Sequence, residues 1–220
     1  MDHSFSNLLL RVPLFQGFSR LDFLDIVAQT PFDFQTLKPR DVLFHSGDES
    51  RTLCMALGGA MELEADSPDH RYRLTEYVAA PWVVGPIVLF GLHNRYTRTY
   101  RAASTLHVVG LSKQSVVHLL SSYPAFQINF YNLLSTQAQH FERQNWLTAA
   151  PSLRESFAQF VRERSLRPVG KRLLQVKMVD LAEALGTTRL NVSHLLAELE
   201  KEGVVSTSRG RIEINDLQLL

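Results

Sequence analysis

One cysteine, Cys54, stands in 220 residues, and its solitude removes several chemistries at once. No intramolecular disulfide, no cysteine-ligated zinc site and no four-cysteine iron–sulfur cluster can be built from it. An excess of either charge is missing too. With 23 lysines and arginines against 22 aspartates and glutamates, the formal net charge is +1. That is too little for a protein that coats nucleic acid by bulk electrostatics, though it permits a local basic patch. Long apolar runs are also lacking: Leu8 to Leu10, between Asp2 and Arg11, is too brief for a signal peptide or a membrane span. The expectation is a cytoplasmic protein with no membrane partner. Catalytic signatures are absent as well, since no H-E-x-x-H, G-x-S-x-G, Walker loop or dinucleotide glycine fingerprint occurs. No catalytic or metal-ligating residue is therefore assigned, and an enzyme is not expected.

What is present concentrates near the C-terminal end, in Met178 to Lys201, MVDLAEALGTTRLNVSHLLAELEK. Leu181, Ala182 and Leu185 line one face of a short helix, and Gly186 supplies a turn that a side chain would obstruct. Thr188 is placed to cap a second helix that starts at Arg189, in which Val192, Leu195, Leu196 and Leu199 recur at i, i+3, i+4 and i+7. Two short helices joined through a glycine turn make a helix-turn-helix, whose second helix lies in a DNA major groove. Opposite the apolar stripe the wheel places Leu190, His194, Ala197 and Lys201, with Ser193 and Glu198 on its flanks. Leu190 suits a thymine methyl, and Arg189 suits two hydrogen bonds to guanine. The same spacing also describes an ordinary helical hairpin with a solvated polar face, so this segment alone leaves both readings open.

Its surroundings favour DNA. Between Arg154 and Arg189, Arg162, Arg164, Arg167, Lys171, Arg172 and Lys177 outnumber Glu155, Glu163, Asp180 and Glu183, concentrating positive charge just ahead of and inside the module. Gly203 ends the second helix. Val204-Val205 and Arg211 to Ile214 then flank Ser208-Arg209-Gly210 as a hairpin, the wing of a winged helix, with Arg209 and Arg211 set to meet phosphates.

The rest of the chain has a different texture. Residues 1 to about 30 read as helical, with Leu21, Leu24, Ile26 and Val27 following Ser19 as a cap. Short apolar or alternating runs then follow: Val42–Phe44, Leu53–Leu57, Met61–Leu63, Tyr72–Val78, Trp82–Val84 and Leu106–Leu111. Turn residues separate them at Gly47-Asp48, Gly58-Gly59, Ser67-Pro68-Asp69 and Gly91 to Asn94, as in a β-sandwich, jelly roll or barrel. Cys54, between Leu53 and Met55, belongs in a buried strand. Ser112 caps a helix to Leu120, and Pro124 opens a longer one of roughly 25 residues carrying Phe126, Phe130, Leu133, Leu134, Phe141 and Leu147. Its apolar positions need burial against the β-domain or a symmetry mate. Beyond Pro151 come a helix with Phe157, Phe160 and Val161, a loop at Arg167 to Gly170, and a short strand at Gln175 to Met178.

Taken in order, these segments resemble the CRP/FNR family, the bacterial regulators of the cyclic-AMP receptor protein and fumarate-nitrate regulator type. VPLFQGFSRLDFLDIV looks like the family's opening, VLFHSGDES like its strand and turn, and LGGAMELE like the glycine-led strand that follows. Trp82 to Gly110 sits where the family keeps its phosphate-binding cassette, and Asp180 to Glu202 resembles its helix-turn-helix. The resemblance implies an α+β fold in three parts. These are a β-roll (jelly-roll, cyclic-nucleotide-binding-like) effector-sensing domain at 1–121, a long dimerisation helix at 122–150 and a winged helix-turn-helix at 151–220. It further implies a homodimer on a palindromic double-stranded DNA operator, regulating transcription through contacts with RNA polymerase. The DNA contacts it implies are Thr187, Thr188, Arg189, Leu190, Asn191, Ser193, His194 and Lys201, with Arg209 and Arg211 of the wing.

Several positions depart from the family pattern. Where its cyclic-AMP cassette shows Gly-Glu for the ribose and later Arg-Ser for the cyclic phosphate, this chain has Gly85-Pro86 and Tyr96-Thr97. Where the long helix has its adenine-facing polar pair, Phe141 and Glu142 stand. Cyclic AMP is therefore not expected to bind in the usual way, and the effector is unknown. The pocket residues Gly85, Pro86, Ile87, Tyr96, Thr97 and Phe141 either hold another small effector or collapse onto their own aromatics. Fumarate-nitrate-type iron–sulfur sensing is excluded by the single cysteine; haem stays open through a histidine ligand, although His93 and His107 read first as surface and strand residues. In the reading helix, the family's Arg-Glu-x-x-x-Arg set becomes Arg189, Leu190 and His194. Leu190 cannot accept a cytosine amino hydrogen, and His194 reaches less far than arginine, so the operator should differ from the cyclic-AMP receptor site. An alternative is a small-molecule sensor whose C-terminal module contacts a protein.

Overall fold

The computed structural model describes residues 7–144 and 150–220. The chain divides into two compact units, Met1–Met61 with Val78–Gln139 and Glu62–Tyr77 with His140–Leu220. Together they hold strands β1 (Asp33–Leu37), β2 (Val42–Phe44), β3 (Thr52–Gly58), β4 (Ala60–Asp66), β5 (Tyr72–Ala79), β6 (Trp82–Val84), β7 (Thr99–Ala102), β8 (Leu106–Ser112), β9 (Arg172–Val176), β10 (Val205–Ser208) and β11 (Arg211–Ile214). The helices are α1 (Arg20–Gln29), α2 (Lys113–Ser122), α3 (Pro124–Gln144), α4 (Leu153–Glu163), α5 (Met178–Ala184) and α6 (Arg189–Lys201). Among the described residues no helix is long and apolar enough to cross a membrane.

In the first unit, Ser19 caps α1 as expected, its hydroxyl accepting the Asp22 amide at 3.1 Å and satisfying one of the free first-turn N–H groups. The buried face of α1 differs from the reading. Phe23, Ile26 and Val27 point inward, whereas Leu21 and Leu24 are 79% and 52% exposed. Phe23 meets Phe15 edge-on, with ring centroids 6.1 Å apart, and that contact sets the rotation of the helix. β3 runs between β8 and β6 in an antiparallel sheet ordered β1-β8-β3-β6. Leu53 to Leu57, Cys54 included, are all buried, because a central strand covered on both faces loses the alternation of a half-exposed one. β1 and β7 were not foreseen. β1 is DFQTL, exposed at four of its five positions, so it carries no apolar signal. α2 is capped by Ser112, which accepts the Ser115 amide at 3.0 Å. α3 buries Phe126 and Phe130; the stretch of the expected long helix that holds Leu147 lies outside the described residues.

The second unit combines the outer part of the β4–β5 hairpin with the C-terminal region. Ser67 organises the hairpin turn, its buried hydroxyl accepting the amides of Arg71 at 3.0 Å and Tyr72 at 3.2 Å. β5 pairs antiparallel with β9, Tyr72 opposite Val176 and Glu76 opposite Arg172, and β9 continues to β11 and β10. The strand expected at Gln175 to Met178 is therefore Arg172–Val176, and Met178 opens α5 instead. The residues ahead of Gln175 supply the pairing: Leu173 and Leu174 are buried. Where β5 meets β9, Arg172 Nη2 lies 3.0 Å from Glu76 Oε2, both side chains being 0% exposed. The guanidinium also donates to Ser165 Oγ and to the carbonyls of Lys171 and Arg167, at 3.0, 2.9 and 2.6 Å. Glu76 accepts the amides of Leu166 at 2.8 Å and Arg167 at 3.3 Å. Two buried charges thus arrive paired and hydrogen-bonded, the condition under which burial is tolerated.

Candidate nucleic-acid interface and effector pocket

The helix-turn-helix closes through local signals. α5 ends in a Schellman arrangement: the Gly186 amide donates to Glu183 O at 3.1 Å and the Thr187 amide to Ala182 O at 2.9 Å, with Gly186 at φ 62°. Only two residues later Thr188 caps α6, its hydroxyl accepting the Asn191 amide at 3.3 Å. Val192, Leu195, Leu196 and Leu199 are buried in one core with Leu181, Phe157, Phe160, Leu174, Ile212 and Ile214. α6 ends as α5 does, with the Gly203 amide on Glu200 O at 3.0 Å and the Val204 amide on Leu199 O at 2.9 Å.

The opposite face of α6 is open. Arg189, Asn191, Ser193, His194 and Lys201 are exposed, and Leu190 is 65% exposed. Thr188 is exposed and spends its hydroxyl on the cap; Thr187 is half-buried, and its hydroxyl accepts from the Asn191 side-chain amide at 3.1 Å, which holds that amide at the helix start. β10 and β11 form the hairpin, Ser208 opposite Arg211, turning through exposed Arg209 and Gly210 at φ 71°. Arg211 is exposed as well. A cleft of about 480 Å³ separates helix from hairpin, walled by Ser193, Ala197 and Glu200 on one side and Thr207, Arg209 and Arg211 on the other. Sequence reasoning passed over Glu200 and Thr207, whose side chains meet across this cleft, because nothing local marks a helix carboxylate that reaches a strand.

The basic run ahead of the module is less available than its count implied. Arg162 is 2.9 Å from Glu155, Arg164 is 3.3 Å from Glu163 and lies 3.9 Å above the Phe160 ring, and Lys171 is 3.0 Å from Glu213. Arg172 is wholly buried. Lys171 and its hydrogen bond hold the Glu213 carboxyl below the usual range. These four cations are thus engaged with acids or with the core, while Lys177 of the same run is exposed.

Of the effector-pocket candidates, Gly85, Pro86, Ile87, Tyr96 and Thr97 lie in the first unit. Phe141 lies in the second and is 41% exposed. Gly85 adopts φ 50°, and a Cβ there would sit 2.8 Å from Tyr96 Cε1, so the tyrosine ring occupies the space above the glycine. Tyr96 is 2% exposed, stacked on Phe44 at 4.4 Å and edge-on to Tyr100 at 5.6 Å. Burial pushes its phenol above the ordinary tyrosine range. Pro86 is buried; Ile87 and Thr97 face solvent. Arg95 is exposed and donates to Gly47 O at 2.7 Å, and His93 and His107 are exposed, the latter 3.1 Å from Thr36 Oγ1.

Comparison with known proteins reads this geometry in the same order. A model of the cyclic nucleotide-binding domain matches residues 34–123, and a model of the Crp-like helix-turn-helix domain matches residues 153–220. A protein of Thermus thermophilus named cyclic AMP receptor protein is 25% identical over 213 residues, covering 94% of each chain. The anaerobic regulatory protein of Pasteurella multocida is 23% identical over 217 residues, covering 96% of this chain and 78% of that one. In fold, the chain is similar to the crystal structure of the Thermus thermophilus catabolite activator protein, with a TM-score of 0.51, 20% identity and coverage of 94% of this chain and 95% of that one. A β-rich cyclic-nucleotide-type domain, a long helix and a C-terminal helix-turn-helix in one α+β chain are the family's layout. The chain belongs to the CRP/FNR family of transcription regulators, which is not a class of enzymes.

Proposed function

We propose that this chain is a homodimeric, sequence-specific DNA-binding regulator, with a β-roll sensor at 1–121, a dimerisation helix at 122–150 and a DNA-binding winged helix at 151–220. The observation that carries the reading is the two-sided α6. Its apolar stripe is spent in the core, while Arg189, Leu190, Ser193, His194 and Lys201 stand in solvent beside the exposed Arg209 and Arg211 of the wing. An exposed leucine between polar neighbours has no structural use in an isolated hairpin but matches a thymine methyl, with Arg189 on an adjacent guanine. Thr187, Thr188 and Asn191 contact the backbone at the helix start, where free amides and the helix dipole favour phosphate. Homodimerisation is supported by α3, where Ile128 and Tyr131, three residues apart, are 55% and 51% exposed. A two-fold dimer reads a palindrome with half-sites about one helical turn apart, roughly 10 bp. From such an operator the regulator contacts RNA polymerase in the cytoplasm.

The pocket residues do not fit cyclic AMP. Tyr96 stands where the family's phosphate-binding arginine stands, and it is buried against Gly85, Phe44 and Tyr100. Pro86 replaces the ribose-binding carboxylate. The tyrosine fills the cyclic-phosphate position from within, so the sensor answers to a different effector or to none. The test is a titration of fluorescent duplexes, selected by the protein from a random-sequence pool, with and without cyclic AMP. Selective binding that falls steeply with salt and ignores cyclic AMP is expected. No selective binding at physiological salt would sink the DNA-binding reading and favour a protein partner for the C-terminal module.

A further inference from the structure

Glu200 poses a problem for a DNA-reading surface. It is exposed on α6, one residue before Lys201, and its side chain lines the cleft that Arg209 and Arg211 also line. A carboxylate so placed repels the phosphates that those arginines would attract. Among the described residues no ion pair neutralises it. Instead the carboxylate is committed to the wing: Glu200 Oε1 accepts the Thr207 amide at 2.9 Å, and both oxygens lie 3.3 Å from the Thr207 hydroxyl. Among the described residues β10 is the outer strand of its sheet, paired with β11 alone through four residues. The Thr207 N–H points to the open edge of that strand, where no further strand satisfies it. Thr207 stands two residues before Arg209 and opposite Ile212, next to Arg211, so a tether at Thr207 governs where both arginines lie.

We infer that Glu200 is a positioning residue of the nucleic-acid interface: it ties the wing to the recognition helix and aims Arg209 and Arg211 at the DNA backbone. The inference rests on the DNA-binding reading and makes a prediction of unexpected sign. On charge alone, removing an acid from a DNA-facing cleft tightens binding. If Glu200 positions the wing, Glu200→Ala weakens it. A lost charge-assisted hydrogen bond corresponds to about tenfold in affinity. Freeing two phosphate-binding arginines lowers the salt-dependence slope by about 1 to 2. Glu200→Gln keeps an acceptor for the Thr207 amide and discards the repelling charge, so it binds at least as tightly as the wild type.

The experiment measures affinity for a duplex selected by the wild-type protein, across a salt series, for the full chain and both variants. Amide hydrogen exchange at Thr207 is followed in parallel. The expected pattern is slow exchange in the wild type and Glu200→Gln, fast exchange in Glu200→Ala, and weaker, less salt-dependent binding only in the alanine variant. Equal or tighter binding by Glu200→Ala, an unchanged slope, or failure of Gln to rescue would each overturn the inference. Unchanged Thr207 exchange in Glu200→Ala would overturn the tether whatever DNA does. A wild type with a slow Thr207 amide that binds no duplex would instead refute the DNA-binding reading, and the positioning role with it.

Discussion

The buried pair between Glu76 and Arg172 offers the sharpest test of how the second unit is held together. Glu76→Gln keeps an acceptor for the Leu166 amide but sets an NH2 where Oε2 accepts the Arg167 amide and faces Arg172, so it removes the charge together with the long hydrogen bond from Arg167. At a separation of 3.0 Å and an effective dielectric of about 20, the attraction removed is on the order of 5 kcal/mol. Arg172 retains three neutral acceptors, Ser165 Oγ and the carbonyls of Lys171 and Arg167, but it is left charged at 0% exposure. Breaking a buried pair in this way costs about 3–5 kcal/mol. A chain with two compact units need not unfold in one step, so global denaturation is a poor readout. Native-state hydrogen exchange of the β5 and β9 amides reports the local opening that the pair resists. Exchange there should accelerate by roughly a hundredfold to a few thousandfold, while the β3 and β8 amides of the first unit change little. Arg172→Met in the Glu76→Gln background should cost much less than the sum of the two single changes, because the second substitution removes the stranded charge. Acceleration below about fivefold, the range of an exposed pair, or simple additivity in the double variant would refute the account.

Two further predictions concern single groups. Cys54 is buried in β3 and burial pushes its thiol up to about 12, so the native protein should resist thiol reagents at neutral pH and react fully once unfolded; rapid native labelling would contradict its placement. The Tyr123 hydroxyl donates to Asp25 Oδ2 at 2.6 Å, and this bond, then burial, pushes the phenol up to about 12. Its folded value exceeds the ordinary value of about 10, so its stabilising contribution is complete below pH 10 and is lost as pH rises toward 12. Burial raises Tyr77 and Tyr96 as well, so a phenolate absorbance titration should show a late region from which Tyr123→Phe removes one tyrosine's amplitude; loss of amplitude near the ordinary value instead would reject the assignment.

What was legible in the chain was local. Ser19, Ser112 and Thr188 cap their helices because each hydroxyl serves an amide only three residues on, and Gly186 and Gly203 end theirs through positive φ. The stripe Val192, Leu195, Leu196, Leu199 needed only its own period. β3 was legible as a continuous apolar run. β1 was not, because an exposed edge strand such as DFQTL has nothing to alternate. The basic count before the helix-turn-helix has a related limit: composition records a cation, while whether Arg162, Arg164 or Lys171 faces an acid depends on folded neighbours. The position of Tyr96 over Gly85 was equally out of reach, since sequence shows the substitution but not which way the ring turns.

The β5–β9 pairing lies between these cases. In Tyr72–Ala79, Leu74, Glu76 and Val78 share one face at the strand period, and all three are buried. A glutamate between two inward apolar residues is itself a signal, because an unpaired carboxylate cannot remain charged there. It requires a buried cation or a set of amides, and the chain supplies both from the segment Leu166 to Arg172. Sequence can state that requirement but cannot choose among 23 lysines and arginines. The choice of Arg172 decides more than one ion pair, since it fixes the register of β5 on β9 and so makes the outer β4–β5 hairpin part of the C-terminal unit.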